Sequence, residues 1–310
     1  MATITTKQDT TANKDLLRVG LRTIFDNTTG EETVLYPKLV NDLTTDMETE
    51  RDLRHAGLTT PTEIAEGQRL TFQKPDLGII KEYSQKVYGT GFRMTFKMNY
   101  FNKYGLWARY TKQLAKVMKA GKDIEVHVMF NNLTSTSLGC GVGFDALAIA
   151  NDTHTGLPNV TAGQYDNYLN SALAHTSLAS ARYYFATLKN DKGMWMGAKP
   201  DTLVFEPTLW PTVMELFGSD NIAHQLSNTK NVFKNWITPF EDARLTSATC
   251  WLVLAKKDSN YDFNVFTSMN PKFYVTDQNL ADDTLDKKAF AIQMFAYGWG
   301  DPRLLYAGKA

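Results

Sequence analysis

Residues Lys192–Ser219, KGMWMGAKPDTLVFEPTLWPTVMELFGS, read as a turn, a short apolar strand from Thr202 to Phe205 and a Pro207-led helix ending at Phe217. Proline suits a first helical turn, where its missing N–H would be unpaired anyway, and Leu209, Trp210, Val213, Met214 and Phe217 recur at helical spacing. Strand tips that run straight into helices are where many enzymes place reactive groups. Here Glu206 is the only carboxylate at the tip, no Ser, Cys or His stands beside it, and no glycine-rich phosphate loop follows. The stretch reads as packing, and the rest of the chain has to supply what it packs against.

Composition allows a sizeable core. The 310 residues are 43% hydrophobic, enough for one large or two ordinary domains. Lys plus Arg and Asp plus Glu both number 33, so no overall field draws the chain to nucleic acid or an anionic membrane, and any such contact is local. The start, MATITTKQDTTANKD, has no apolar signal core and no later run reaches the length of a membrane span, so neither secretion by the usual route nor membrane insertion is expected. Two cysteines, Cys140 and Cys250, are too few for a disulfide framework and read as core thiols.

The polar stretch Met1–Asn13 cannot bury enough surface to order itself. It is expected to lie on its own domain or on a neighbouring subunit. From Leu58 to Thr90 the sequence is rich in Gly and Pro without sustained helical period, then passes into FRMTFKMNY, where Phe92, Met94, Phe96, Met98 and Tyr100 alternate onto one strand face. Long stretches with so little core signal are uncommon in compact domains and usually reach to a partner, so this one is expected to project.

In LWARYTKQLAKVMKAGKD the residues Trp107, Tyr110, Leu114 and Val117 mark an apolar helix face, with Gly121 as its stop. The following DIEVHVMFN alternates Ile124, Val126, Val128 and Phe130 against polar neighbours, which predicts a strand. Tyr83 to Lys122 contains no acidic residue, and Arg109, Lys112, Lys116 and Lys119 form a stripe opposite the apolar one. An ordinary solvated helix mixes charge signs to gain pairs four residues apart. The one-sided stripe therefore points to a polyanion or an acidic partner surface, against the plainer alternative of a solvated face. Further on, Gln164–Leu188 reads as a second long helix, and TCWLVLA, DFNVFTS and PKFYVT read as strands. Helices and strands mix without regular alternation, which predicts the α+β class.

Chemistry-bearing patterns are sparse. The glycines of GCGVG miss the dinucleotide spacing, and the five histidines stand singly. Asp152 two residues before His154 has chelating spacing, but two further ligands are not nominated. No catalytic residue, metal or cofactor is expected, and the carboxylates around Asp46 and Asp282 read as solvated or interfacial.

The run from Asn151, NDTHTGLPNV…QYDNYLNSALAHTSLASARYYFATLKNDKGMWMGAKPDTLVFEPTLWPTVMELFGSD, resembles the corresponding stretch of Mu-like and related tailed-phage major capsid proteins: a Thr-His turn, a helix, a KG turn, a strand ending FEP, and a helix. NTKNVFKNWITPFEDARLTSATCWLVLAKK and YGWGDPRLLYAG are similar to the same family's end, so the resemblance covers roughly residues 151–310. It implies the Hong Kong 97-type shell fold. In those terms residues 1–50 are the N-terminal arm and lead-in, 51–91 the extended-loop region centred on Leu58–Thr90, 92–143 a peripheral domain with the spine helix Leu106–Gly121, 144–290 the axial domain, and 291–310 a return to the peripheral domain. Trp195 and Trp210 become core or contact residues.

The function implied is a major head subunit forming hexamers and pentamers of an icosahedral shell around double-stranded DNA. Its partners would be other copies of itself, a portal, and separate scaffold or decoration proteins, with no membrane, in the virion and, during assembly, in the host cytoplasm. The stripe Arg109, Lys112, Lys116 and Lys119 would then face DNA or a neighbour's acidic arm. The stretch ahead of Leu16 is far shorter than the cleaved scaffolding region of some relatives, and closure is expected to be noncovalent. A nanocompartment shell of the same fold is the alternative, and a soluble oligomeric enzyme a more distant one.

Overall fold

The computed structural model describes residues 11–55, 58–70, 72, 77–95, 97, 101, 104–137, 143, 145–155, 164–218, 230–257, 261–276 and 286–310. In chain order these form α1 (Thr11–Glu31), α2 (Tyr36–Leu39), β1 (Asn41–Thr44), β2 (Thr49–His55), β3 (Leu77–Ser84), β4 (Lys86–Met94) and α3 (Tyr104–Asn131). The second half supplies β5 (Tyr168–Leu169), α4 (His175–Thr187), β6 (Pro200–Phe205), α5 (Trp210–Gly218), β7 (Thr238–Glu241), β8 (Trp251–Ala255), β9 (Phe263–Val275), β10 (Lys287–Trp299) and β11 (Leu305–Gly308). Single-turn 3-10 helices precede α5 and β11. The α+β class holds, with three sheets among the described residues.

Two cores organise these elements. The larger surrounds a five-stranded sheet of order β5-β11-β8-β6-β7. Its central strand β8 is buried at every residue, as expected for a strand covered on both faces. α4 contributes Leu178, Ala181 and Phe185 to this core, and α5 contributes Val213 and Phe217. The smaller core lies on a four-stranded sheet of order β1-β9-β10-β4. There Leu21 and Phe25 of α1 and Trp107, Leu114, Ala115 and Met118 of α3 cover Phe273, Ala289 and Ala291. Each such side chain removed from water contributes about 1.5–3 kcal/mol, more for the large aromatics and less for alanine. The third sheet is the β2–β3 hairpin alone.

The long helix differs from its sequence reading. α3 runs without interruption to Asn131, so residues 124–131 are helix where alternation predicts a strand. Val126, Met129, Phe130 and Leu133 are buried at helical spacing in the larger core, and that packing outweighs the strand preference of the β-branched residues here. Gly121 therefore sits inside the helix and does not end it. The apolar face is also rotated: Trp107 and Leu114 are buried, but Tyr110 and Val117 are exposed, and Thr111, Ala115 and Met118 complete the buried side.

Four further differences follow. α1 begins at Thr11 and packs on α3 from Leu21, so the described part of the lead-in is a helix, while Met1–Thr10 of the expected arm lie outside the described residues. The strand expected over Phe92–Tyr100 ends at Met94. The helix expected over Gln164–Leu188 begins only at His175, where the Ser177 hydroxyl accepts from the Ala174 N–H at 2.8 Å. Ahead of it the chain is held extended because Asn167, fully buried, bonds through its side chain to Asn151 N, Ile149 O and Pro302 O. DFNVFTS and PKFYVT are two parts of one 13-residue strand, β9.

Candidate assembly surfaces

The basic stripe lies on the outer side of α3. Arg109, Lys112 and Lys116 are exposed and Lys119 is half-buried. Lys116 reaches Glu32 at 3.4 Å, an exposed pair worth little. Among the described residues no carboxylate pairs with the other three. Tyr110, Val117 and Ile124 are exposed on the same helix, so the outer surface of α3 joins cationic and apolar groups.

Behind this face the helix carries buried charge. Asp123 accepts from the N–H groups of Leu35 and Tyr36, at 3.1 and 2.9 Å, and from Arg244 Nε at 3.1 Å. One turn on, His127 Nε2 meets Asp242 Oδ2 at 2.9 Å while its Nδ1 meets the Asp123 carbonyl. An imidazole whose two nitrogens both face acceptors is satisfied only as the doubly protonated cation. Burial pushes the His127 pKa down, but the bonds to Asp242 and Asp123 outweigh it and raise the value above its usual one. Asp242 Oδ1 also accepts the Arg244 N–H at 2.9 Å. Lys122, buried beside this group, donates to Thr267 Oγ1 at 2.8 Å and lies 3.5 Å from Asp42 Oδ1. Asp42 accepts in turn from Tyr36 Oη at 2.7 Å and Thr267 Oγ1 at 3.0 Å. This polar knot ties the lead-in, α3, β9 and the loop after β7. Its sequence signal was charged residues at the buried spacing of an apolar helix, hidden while 124–130 read as a strand.

Other surfaces are exposed. Every residue from Leu58 to Leu70 is exposed, Leu58, Ile64 and Leu70 among them, and Phe72 is 86% exposed. β2 and β3 pair across this stretch, and Ile80 on β3 is exposed. On the larger lobe Trp195 and Trp210 are both exposed, 64% and 48%, so they are surface groups and not core. Tyr183 and Tyr184 of α4 line a cleft of about 620 Å³ with Tyr165 and Tyr306.

The Asp152–His154 chelate does not form. His154 is buried, its Nδ1 is 2.7 Å from Asp145 Oδ2, and its ring stacks on Tyr165 at 4.7 Å. Burial pushes the Asp145 carboxyl up, but the hydrogen bond and charge of His154 hold it below the usual range. Among the described residues no group of three or more His, Cys, Asp or Glu could hold a metal ion. Cys250 is buried and its thiol pushed up to about 11 by burial, which makes it inert at neutral pH. Cys140 and the carboxylates around Asp282 lie outside the described residues. No described helix is long and apolar enough to cross a membrane.

A long helix shared between two cores, beside a separate β2–β3 pair, fits the shell fold that the sequence resemblance implies. Solved structures bear this out at the level of fold. The cyanophage P-SCSP1u capsid matches with TM-score 0.55 at 11% identity over 90% of this chain and 88% of that one. The capsid of an empty GTA particle matches with TM-score 0.57 at 7% identity over 90% and 91%. A virus-like particle from Pyrococcus furiosus matches with TM-score 0.52 at 10% identity over 93% and 98%. No curated protein sequence matches the chain.

A sequence model of the phage capsid protein family matches residues 80–308, and the chain belongs to that family. It is a shell-forming major capsid protein of the virion, a structural subunit that assembles with itself. The family disfavours the nanocompartment alternative, and the match does not extend to the narrower Mu-like group.

Proposed function

We propose that copies of this chain close as hexamers and pentamers into an icosahedral head around double-stranded DNA, with the outer face of α3 turned to the lumen. The observation that carries this reading is the stripe Arg109, Lys112, Lys116 and Lys119. A cationic face with only one exposed internal counter-charge, Glu32 beside Lys116, is matched by phosphate, which it binds without regard to sequence by releasing counterions. In the same reading residues 1–50 are arm and lead-in, 51–91 the extended loop, 92–143 the peripheral domain, 144–290 the axial domain and 291–310 the return strand. Exposed Trp195 and Trp210 then lie between neighbours, where aromatic side chains contribute most to contact energy. Closure is noncovalent. Portal, separate scaffold and decoration proteins would be met in the host cytoplasm during assembly.

Light scattering behind size exclusion, with negative-stain imaging of the same fractions, tests the assembly. Megadalton shells or free hexamers and pentamers are expected, and a monomer or dimer unchanged by salt, concentration or coexpressed scaffold overturns it. Charge reversal at Lys112 and Lys116 tests the lumenal face. Shells should form but lose packaged DNA more readily, and normally filled particles would remove the assignment.

A further inference from the structure

α3 carries three parallel columns of side chains, each about 100° round the helix from the next. Trp107, Thr111, Leu114 and Met118 form the buried column, and Arg109, Lys112, Lys116 and Lys119 the basic one. Between them run Leu106, Tyr110, Gln113, Val117, Ala120 and Ile124, none of them buried. Tyr110 rests against Phe92, their ring centroids 5.6 Å apart, while Val117 and Ile124 stay 55% and 50% exposed. A column facing water on an ordinary helix is polar, and this one is apolar at every member but Gln113.

The middle column alternates steps of four and three along the sequence, the heptad spacing by which one helix seats another. Tyr110, Val117 and Ile124 take the a positions, and Leu106, Gln113 and Ala120 the d positions. A straight helix drifts about 20° per heptad against this pattern, so all six stay on one face over so short a run. The neighbouring charge selects what can lie there. Arg109 and Lys116 fall at g, where charge decides the choice of partner helix, and Lys112 and Lys119 extend the same flank. Among the described residues only Glu32, beside Lys116, offsets them. A second copy of α3 would bring the same cations, and like charges set face to face disfavour that pairing. Phosphate would meet the cations and leave the apolar column bare. A helix with apolar residues at heptad spacing and carboxylates on its flank satisfies both columns together.

We propose that the outer face of α3 is a docking site for an acidic amphipathic helix of another protein. Its apolar residues pack on Tyr110, Val117 and Ile124, and its carboxylates line the column of Arg109, Lys112, Lys116 and Lys119. This goes beyond the DNA reading but draws on the same cations, so helix and duplex exclude one another on this face. The site lies within one subunit and is open before any shell closes.

Fluorescence anisotropy on the unassembled full-length subunit tests the site with three labelled probes. The first is a three-heptad peptide with Ile at a, Leu at d and Glu at e and g, whose glutamates keep it from pairing with itself. The second is the same peptide with Ser at every a and d, and the third a duplex DNA oligonucleotide. The first peptide should bind and the second should bind far more weakly. Val117→Ser combined with Ile124→Ser should weaken the first peptide by about tenfold or more, since docking covers the exposed half of each side chain. The same variant should leave duplex binding unchanged, and duplex should displace the peptide. Lys112→Glu combined with Lys116→Glu should weaken both probes. Equal binding of the two peptides, or a first peptide that does not bind or ignores the apolar variant, overturns the proposal. If the apolar variant instead lowers self-association of the subunit in light scattering while no peptide binds, the face belongs to a second copy and the proposal also falls. A peptide that binds where duplex does not refutes the DNA reading alone.

Discussion

Replacing Asp242 with asparagine tests whether the His127 pair is ionised in the folded subunit. The two side chains are 1% and 0% exposed and meet at 2.9 Å, and Asp242 also fixes the Arg244 backbone. Asparagine keeps the shape and removes the counter-charge. Breaking a buried pair by removing one partner costs about 3–5 kcal/mol, because the remaining charge is stranded out of water. The imidazole has an escape that a guanidinium lacks, since it can lose its proton. The folded pKa of His127 lies above its ordinary value, so the pair contributes fully below pH 6.5 and fades as pH rises through the folded value. The loss in Asp242→Asn should therefore be about 3–5 kcal/mol at pH 6 and clearly smaller at pH 9, where little charge is left to strand. Urea unfolding of the unassembled subunit, followed by tryptophan fluorescence, measures both from the midpoint shift at constant slope. Equal losses at the two pH values would refute an ionised His127, and no loss at either would refute the pair as a stabilising contact.

Other outcomes follow from the same packing. Gly121→Ala has open space for its methyl and should stabilise the unassembled subunit by about 0.5–1 kcal/mol in the same urea assay, because glycine inside a helix costs about that much. Trp195→Ala and Trp210→Ala should leave subunit unfolding within about 0.5 kcal/mol of native, as exposed substitutions do, while raising the protein concentration needed for shells, read by light scattering. Cys250 should resist Ellman's reagent at pH 7.5 in the folded chain and react fully in urea.

The order of elements was most legible where local preference and burial agree. Pro200–Phe205, the proline-led turn into α5, and β8 are all apolar runs ended by their own punctuation, so pattern and structure coincide. Reading failed where distant packing decides. Residues 124–130 satisfy both a two-residue and a helical period, and only the larger core selects the second. Residues 164–174 have apolar groups at helical spacing, but Asn167 is engaged by Ile149 and Pro302, contacts 18 and 135 positions away that no local pattern announces. The basic stripe was visible because charge sign needs no geometry, whereas the exposure of Tyr110 and Val117 depended on where α1 lies.

α3 is about 42 Å long at 1.5 Å per residue, with its first half rooted in the smaller core through Trp107, Leu114 and Met118 and its second in the larger through Val126, Met129 and Phe130. Such a helix is a beam clamped at both ends, so tilting one lobe against the other bends the beam instead of turning a hinge. Gly121 stands in the span between the clamps, where it leaves the helix without a side chain to stiffen it. Curvature differences between neighbouring positions in a closed shell are then absorbed at that point, and filling it with a methyl trades compliance for strength.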